Sequence, residues 1–250
     1  MNPIKSVKNL SLFERCLWAF SVVTIVLSGI FGKSEPMQIA ASVVGVTALI
    51  FVSKGDVFGQ VLTIVFSVMY GVISFAFAYY GEMLTYLCMT APIAVSAVVT
   101  WLRHPFEKGK QEVEVNTLKS WERVAVAFAT VIITVAFYFI LSYFNTANII
   151  PSTISVATSF LASYHTFRRS RFYAFWYAAN DVVLIVLWVL ASIEDIKYLP
   201  MVICFTMFLV NDGYGFVYWS KMLKRQSQAS HVSQASQKNY FTAKPQIKHR

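Results

Sequence analysis

Eight long apolar runs divide the chain: Cys16–Phe31, Met37–Val52, Val57–Tyr80, Met83–Leu102, Val124–Phe144, Ile149–Phe167, Phe172–Ile193 and Tyr198–Trp219. Most reach the ~20 residues that an α-helix needs to cross a ~30 Å hydrocarbon layer. The first two are shorter and are expected to borrow neighbours such as Phe13 and the Val-Ser step at 52–53. No run alternates apolar and polar residues, so a β-barrel is excluded. The spans must be helices that satisfy their own backbone hydrogen bonds. The pattern predicts an all-α integral membrane protein with eight transmembrane helices.

Composition agrees: 57% of the 250 residues are hydrophobic, 13% are charged, and the mean hydropathy is +0.57. The net charge of +9 is mostly a topology signal. With the N-terminus inside, all of the 21 Lys and Arg except Lys33 and Lys197 fall on the cytoplasmic side, as the positive-inside rule requires. Nucleic-acid binding is not expected, because no basic residues interleave with aromatics on one surface. Lys5, Lys8 and Arg15 precede the first run, but Gly29-Ile30-Phe31-Gly32 offers no small-x-small cleavage site, so the first helix is expected to be retained. Cys16, Cys88 and Cys204 lie in apolar runs without CxxC spacing, which argues against a disulfide framework or a metal site.

Connection lengths group the runs. Spans 2 to 4 are joined by short turns, as are spans 6 to 8, while span 5 stands alone after the charged loop Arg103–Arg123. The expected plan is one extra helix, then three, one and three. Segment boundaries are 1–36, 37–102, 103–148 and 149–221, followed by a disordered tail at 222–250. Each triplet has a basic or mixed inner turn (Lys54-Gly55-Asp56; Arg168-Arg169-Ser170-Arg171), an acidic outer turn (Glu82; Glu194-Asp195) and a terminal Trp, Trp101 or Trp219. With one helix between them, both triplets run the same way. Parallel repeats of this kind bind substrate between them near the midplane.

Within the runs only two acids occur, and each follows an asparagine: Asn180-Asp181 and Asn211-Asp212. A carboxylate at that depth costs about 2.5–3.5 kcal/mol even on the lenient insertion scale, so such residues mark binding sites or pathways by default. At ~1.5 Å per residue the two pairs lie at one level, roughly 12 Å from the inner boundary. Trp176 shares a helix face with Asn180, offering an aromatic plate beside an amide. Tyr214 follows Asn211 on its face, and Gln60 holds the place in the first triplet that Trp176 holds in the second. Asp181 and Asp212 point about 100° from their asparagines. They are open to ribose hydroxyls, to a proton or to a helix–helix hydrogen bond, the last being favoured. Metal ligation and cofactors are not expected.

Trp176-x-x-x-Asn180-Asp181, Asn211-Asp212-Gly213-Tyr214 with Tyr218-Trp219, and the three-one-three plan resemble the PnuC family of vitamin B3 transporters over roughly Met37 to Lys221. That family is similar in fold to the SWEET sugar carriers. The resemblance implies facilitated diffusion of nicotinamide riboside across a bacterial inner membrane, with both termini cytoplasmic. A cytoplasmic riboside kinase would trap the substrate for NAD synthesis. It also implies that Trp176 stacks on the nicotinamide while Asn180 and Asn211 bond its carboxamide or ribose, with Gln60 a looser match. A SWEET-like sugar carrier or another nucleoside facilitator is the alternative. Enzyme activity is not expected: no HExxH motif or nucleophile with its base lies in the spans. A homo-oligomer is compatible with the sequence.

Reporter fusions test the charge asymmetry. Both termini should report from the cytoplasm and Glu194-Asp195 from outside; an extracellular C-terminus would overturn the parallel-repeat plan as well.

Overall fold

The computed structural model describes residues 3–107 and 112–243. A short helix, Pro3–Lys8, precedes eight long ones: α1 (Leu12–Phe31), α2 (Pro36–Ser53), α3 (Val57–Ala76), α4 (Tyr80–Arg103), α5 (Ser120–Tyr143), α6 (Ile149–Phe167), α7 (Phe172–Glu194) and α8 (Leu199–Ala243). Extended backbone pairs only in isolated bridges among the described residues. Seven of the long helices are long and apolar enough to cross a membrane. The exception is α6, whose Ser152, Thr153, Ser155, Thr158, Ser159, Ser163 and Thr166 dilute its apolar content.

Local chemistry sets the helix ends. Ser11 and Glu14 form a reciprocal capping box that starts α1. Pro36 opens α2, and the Asp56 carboxylate caps α3 through the Phe58 N–H at 2.9 Å. The two short runs do borrow flanking residues, giving helices of 20 and 18 residues. Pro92, which cannot donate to the helix ladder, follows a π-helical turn over Thr85–Thr90 that widens α4 ahead of it.

Most of the outer surface is apolar. Val124, Phe128, Val131, Ile132, Val135 and Phe139 of α5 are all exposed, as are Phe20, Val23 and Leu27 of α1. Such a belt suits lipid rather than water. Ser21, Ser67, Ser74, Ser152, Ser155, Ser159 and Ser163 are buried instead, where small side chains let helices approach closely.

Packing follows two consecutive triplets. α3 packs on α2 and α4, and α7 packs on α6 and α8; α2 meets α8 and α4 meets α6, closing a ring. Outside the ring, α1 lies over the α8–α2 seam, and α5 packs on α6 with a small contact to the start of α4. At the end carrying Lys54 and Arg168, here the basic end, each outlying helix begins with a buried glutamate. Glu14 pairs with Lys54 at 3.1 Å and accepts from Tyr214 Oη at 2.6 Å. Glu122 accepts from both Nε and Nη2 of Arg168, and from Tyr164 Oη at 2.7 Å.

Part of the charged loop is an ordered strap rather than a solvated connector. The Val113 N–H donates to Gly55 O at 3.1 Å and the Asn116 N–H to Arg169 O at 2.9 Å, so one segment fastens both basic-end turns. Those turns need left-handed residues, supplied by Gly55 (φ 68°) and Arg169 (φ 56°). Gln226 of α8 completes the strap, accepting from Val115 N at 2.8 Å and donating to Val113 O at 3.0 Å. This anchor begins a stretch that stays helical to Ala243, where the sequence pointed to a disordered tail. Residues 244–250 of that tail lie outside the described residues.

Burial works against the Lys54 ammonium, but Tyr218 and Glu14 outweigh it and hold its pKa above the ordinary lysine value. A raised pKa means that the stabilisation is complete below the unfolded value of about 10.4 and is lost only as pH climbs through the folded one. Glu14→Gln should cost roughly 2 kcal/mol in unfolding experiments in detergent, the scale of hydrogen bonds to a charged group. The cost should not change between neutral pH and about pH 10.

Candidate functional site

Inside the ring, between the two triplets, lies a small cavity. α2 contributes Gly45, Ala48, Leu49 and Val52; α3 contributes Gln60, Thr63 and Phe66; α4 contributes Tyr86 and Thr90. The second triplet contributes Tyr177 and Asp181 from α7, with Phe208 and Asp212 from α8. Gly45 is required by close approach: a Cβ there would lie 2.4 Å from Phe208 Cζ and 2.9 Å from Phe66 Cδ2. The space open to water centres is about 40 Å³, room for a few waters but not for a nucleoside.

Aromatic plugs pack against its lining residues from two sides. Toward the far end, Tyr70 packs edge-on against Tyr86 and Phe205, with ring centroids 4.6 and 5.4 Å apart, and its hydroxyl accepts from Trp188 Nε1 at 3.0 Å. Tyr79 Oη donates to Leu187 O at 3.1 Å. Toward the basic end, Trp101 and Trp219 meet with centroids 5.5 Å apart. Each indole crosses a seam between the triplets: Trp101 Nε1 donates to Thr166 O at 3.1 Å and Trp219 Nε1 to Val52 O at 3.0 Å. Both acceptors lie in the last turn of a helix, and each also takes a turn N–H: Val52 O from Gly55 at 2.9 Å and Thr166 O from Arg169 at 3.0 Å.

The expected site residues divide into two groups. Gln60, Asp181 and Asp212 line the cavity, each at most 4% exposed. The two carboxyl groups are in hydrogen-bond contact with each other, while Asp181 Oδ2 and Gln60 Oε1 have no partner. Asn180, Asn211, Trp176 and Tyr214 do not line it. The Asn180 carbonyl accepts from Ser155 Oγ at 3.0 Å and Thr158 Oγ1 at 2.8 Å, both on α6. Asn211 Nδ2 donates to Ser21 Oγ of α1 at 3.1 Å and to Met207 O at 2.7 Å. Tyr214 serves Glu14, and Trp176 is half-buried beside Phe175. Thus the asparagines bond neighbouring helices and the aspartates face the cavity, the reverse of the weighting from sequence.

Sequence reasoning passed over Tyr177, Tyr86, Phe66 and Phe208 as lining rings. It also placed Glu82 in an outer turn, whereas the structure buries it fully in the first turn of α4 beside Ser155, with neither oxygen bonded. The serine stripe of α6 was the available signal for that polar seam.

A ring of membrane helices in two triplets around a polar cavity suits a carrier. The profile of the nicotinamide mononucleotide transporter family matches residues 35–221. A nicotinamide riboside transporter, PnuC, from Neisseria mucosa is 25% identical over 205 residues, covering 79% of this chain and 77% of that protein. A crystal structure described as the vitamin B3 transporter PnuC superposes with a TM-score of 0.77 at 22% identity, covering 87% of this chain and 94% of that one. The chain belongs to this family of multi-pass membrane transporters, the PnuC family that its motifs resemble. Its relatives are transporters and not enzymes.

The double variant Trp101→Phe/Trp219→Phe keeps the rings and removes two indole bonds, worth about 1 kcal/mol each. In a background lacking Cys16, Cys88 and Cys204, a cysteine at position 60 should react with an impermeant thiol reagent from the basic end about ten-fold faster or more. Unchanged reactivity would mean that the indoles do not hold that end shut.

Proposed function

We propose that the chain carries nicotinamide riboside down its gradient across the bacterial inner membrane, with both termini cytoplasmic and phosphorylation by a cytoplasmic riboside kinase keeping the gradient inward. The observation that carries this reading is the cavity between the triplets, lined by aromatic rings, one amide and two acids, in a chain of this family. Nicotinamide riboside offers what that lining can use: a flat ring for Tyr86, Tyr177, Phe66 or Phe208, and a carboxamide and hydroxyls for Gln60 and the aspartates. A phosphate finds no Lys or Arg among the lining residues, and burying one unpaired would be costly. The riboside is therefore preferred to the mononucleotide, although the family profile takes its description from the latter.

The transport cycle follows from the two plugs. Parting the aromatic rings at one end opens the cavity to that side, and parting the indole bonds opens it to the other. The architecture supporting this is one outlying helix and three, then one and three, with the triplets parallel. Because the empty cavity is too small for the ligand, substrate must hold the triplets slightly apart. Trp176 and Asn180 then join the contacts as the α6 hydroxyls give way, and Asn211 and Tyr214 keep α8 tied to α1.

Proteoliposomes with no ion gradient and no membrane potential should equilibrate labelled nicotinamide riboside without concentrating it. Unlabelled riboside should compete and the mononucleotide should not; equal competition by the mononucleotide would refute this reading of the cavity.

A further inference from the structure

Among the described residues, the acid pair has no counter-charge. Asp181 and Asp212 lie on different helices, are 4% and 3% exposed, touch each other, and leave Asp181 Oδ2 unbonded. Two carboxyl groups in contact cannot both stay ionised without a positive charge nearby. The titratable groups facing them are Tyr173 and Tyr177 on α7, Tyr86 on α4 and Cys204 on α8, none of them a base. α2 and α3 line the cavity with aliphatic, amide, hydroxyl and Phe66 side chains only. Around the pair stand Phe66, Tyr86, Tyr177 and Phe208. Aromatic faces surrounding a carboxyl pair form a receptor for an organic cation, because ring quadrupoles and the acids attract positive charge together.

We propose that Asp181 and Asp212 are specificity-determining residues that supply the counter-charge for a heteroaromatic cation, so that the cavity selects an N-substituted pyridinium over a neutral ring of the same shape. This rests on the reading of the chain as a riboside carrier and deepens it: glycosylation at the pyridine nitrogen gives nicotinamide riboside a permanent positive charge. The asparagine beside each aspartate serves the selection by fixing its helix. Asn180 bonds α6 and Asn211 bonds α1, and a rotation of about 100° per residue turns the next side chain inward. Nicotinamide itself is neutral and cannot use the pair. The mononucleotide brings a phosphate that the pair repels.

Charge can be separated from shape with one ligand pair. Reduction of nicotinamide riboside to its 1,4-dihydro form keeps the ribose and carboxamide and removes the positive charge. Binding to the purified full-length chain should favour the oxidised form by about ten-fold or more, the scale of a desolvated cation–aromatic contact. Asp181→Asn/Asp212→Asn should bring the two forms to nearly equal affinity. Equal binding of both forms to the unaltered chain, or a preference that survives the double substitution, overturns the proposal. If the double variant does not fold, the comparison on the unaltered chain decides. If neither riboside binds, the riboside reading has failed, and 1-methylnicotinamide against nicotinamide then decides the charge reading: binding of the methylated cation alone upholds it, and anything else overturns it.

Discussion

Lipid offers no hydrogen bonds, and the rest of this structure depends on that constraint. Each polar side chain on a spanning helix must find a partner inward or line a space that water or substrate can reach. The helices therefore show apolar faces to the outside and meet one another through serines, asparagines and tyrosines. Among the described residues eleven buried side chains keep a polar atom without a partner, and two of them, Gln60 and Asp181, line the cavity.

The same constraint explains the paired build at the basic end. Two helices outside the ring each begin with a glutamate, and each glutamate reaches the basic residue of a triplet's turn. Two tryptophans each end a triplet and bond the first helix of the other. One strap crosses from turn to turn. The triplets are thus joined at this end by contacts that come in twos, whereas the opposite end joins them through rings packed edge to face and side-chain hydrogen bonds from Trp188 to Tyr70 and from Tyr79 to Leu187.

Helix positions were legible in the sequence because span length and charge exclusion are strong signals. That the two acids share one level could also be read from residue rise. Their direction could not. Asparagine and aspartate are neighbours on a helix, and which one faces the centre depends on where α1 and α6 stand, which periodicity does not reveal. The lining aromatics were hidden by abundance, since Tyr86 or Phe208 looks no different from the rings that face lipid. The strap over residues 112–116 carries mixed charge and no period, so only its tertiary partners, Gly55, Arg169 and Gln226, give it a shape. Glu82 was missed because helix boundaries blur by a residue or two, enough to move an acid from a turn into a seam.

The two indole bonds have a bearing on solvent. Each tryptophan donates to a helix-end carbonyl that a turn N–H also serves, so what a parted bond would leave bare in an apolar setting is the indole N–H. Opening the basic end therefore requires water to reach the indoles, which makes it a wetting event as much as a movement of helices. A carrier gated in this way answers to water activity: solutes too large to enter the ring hold that end closed by withdrawing water from it, and they do so without touching the protein.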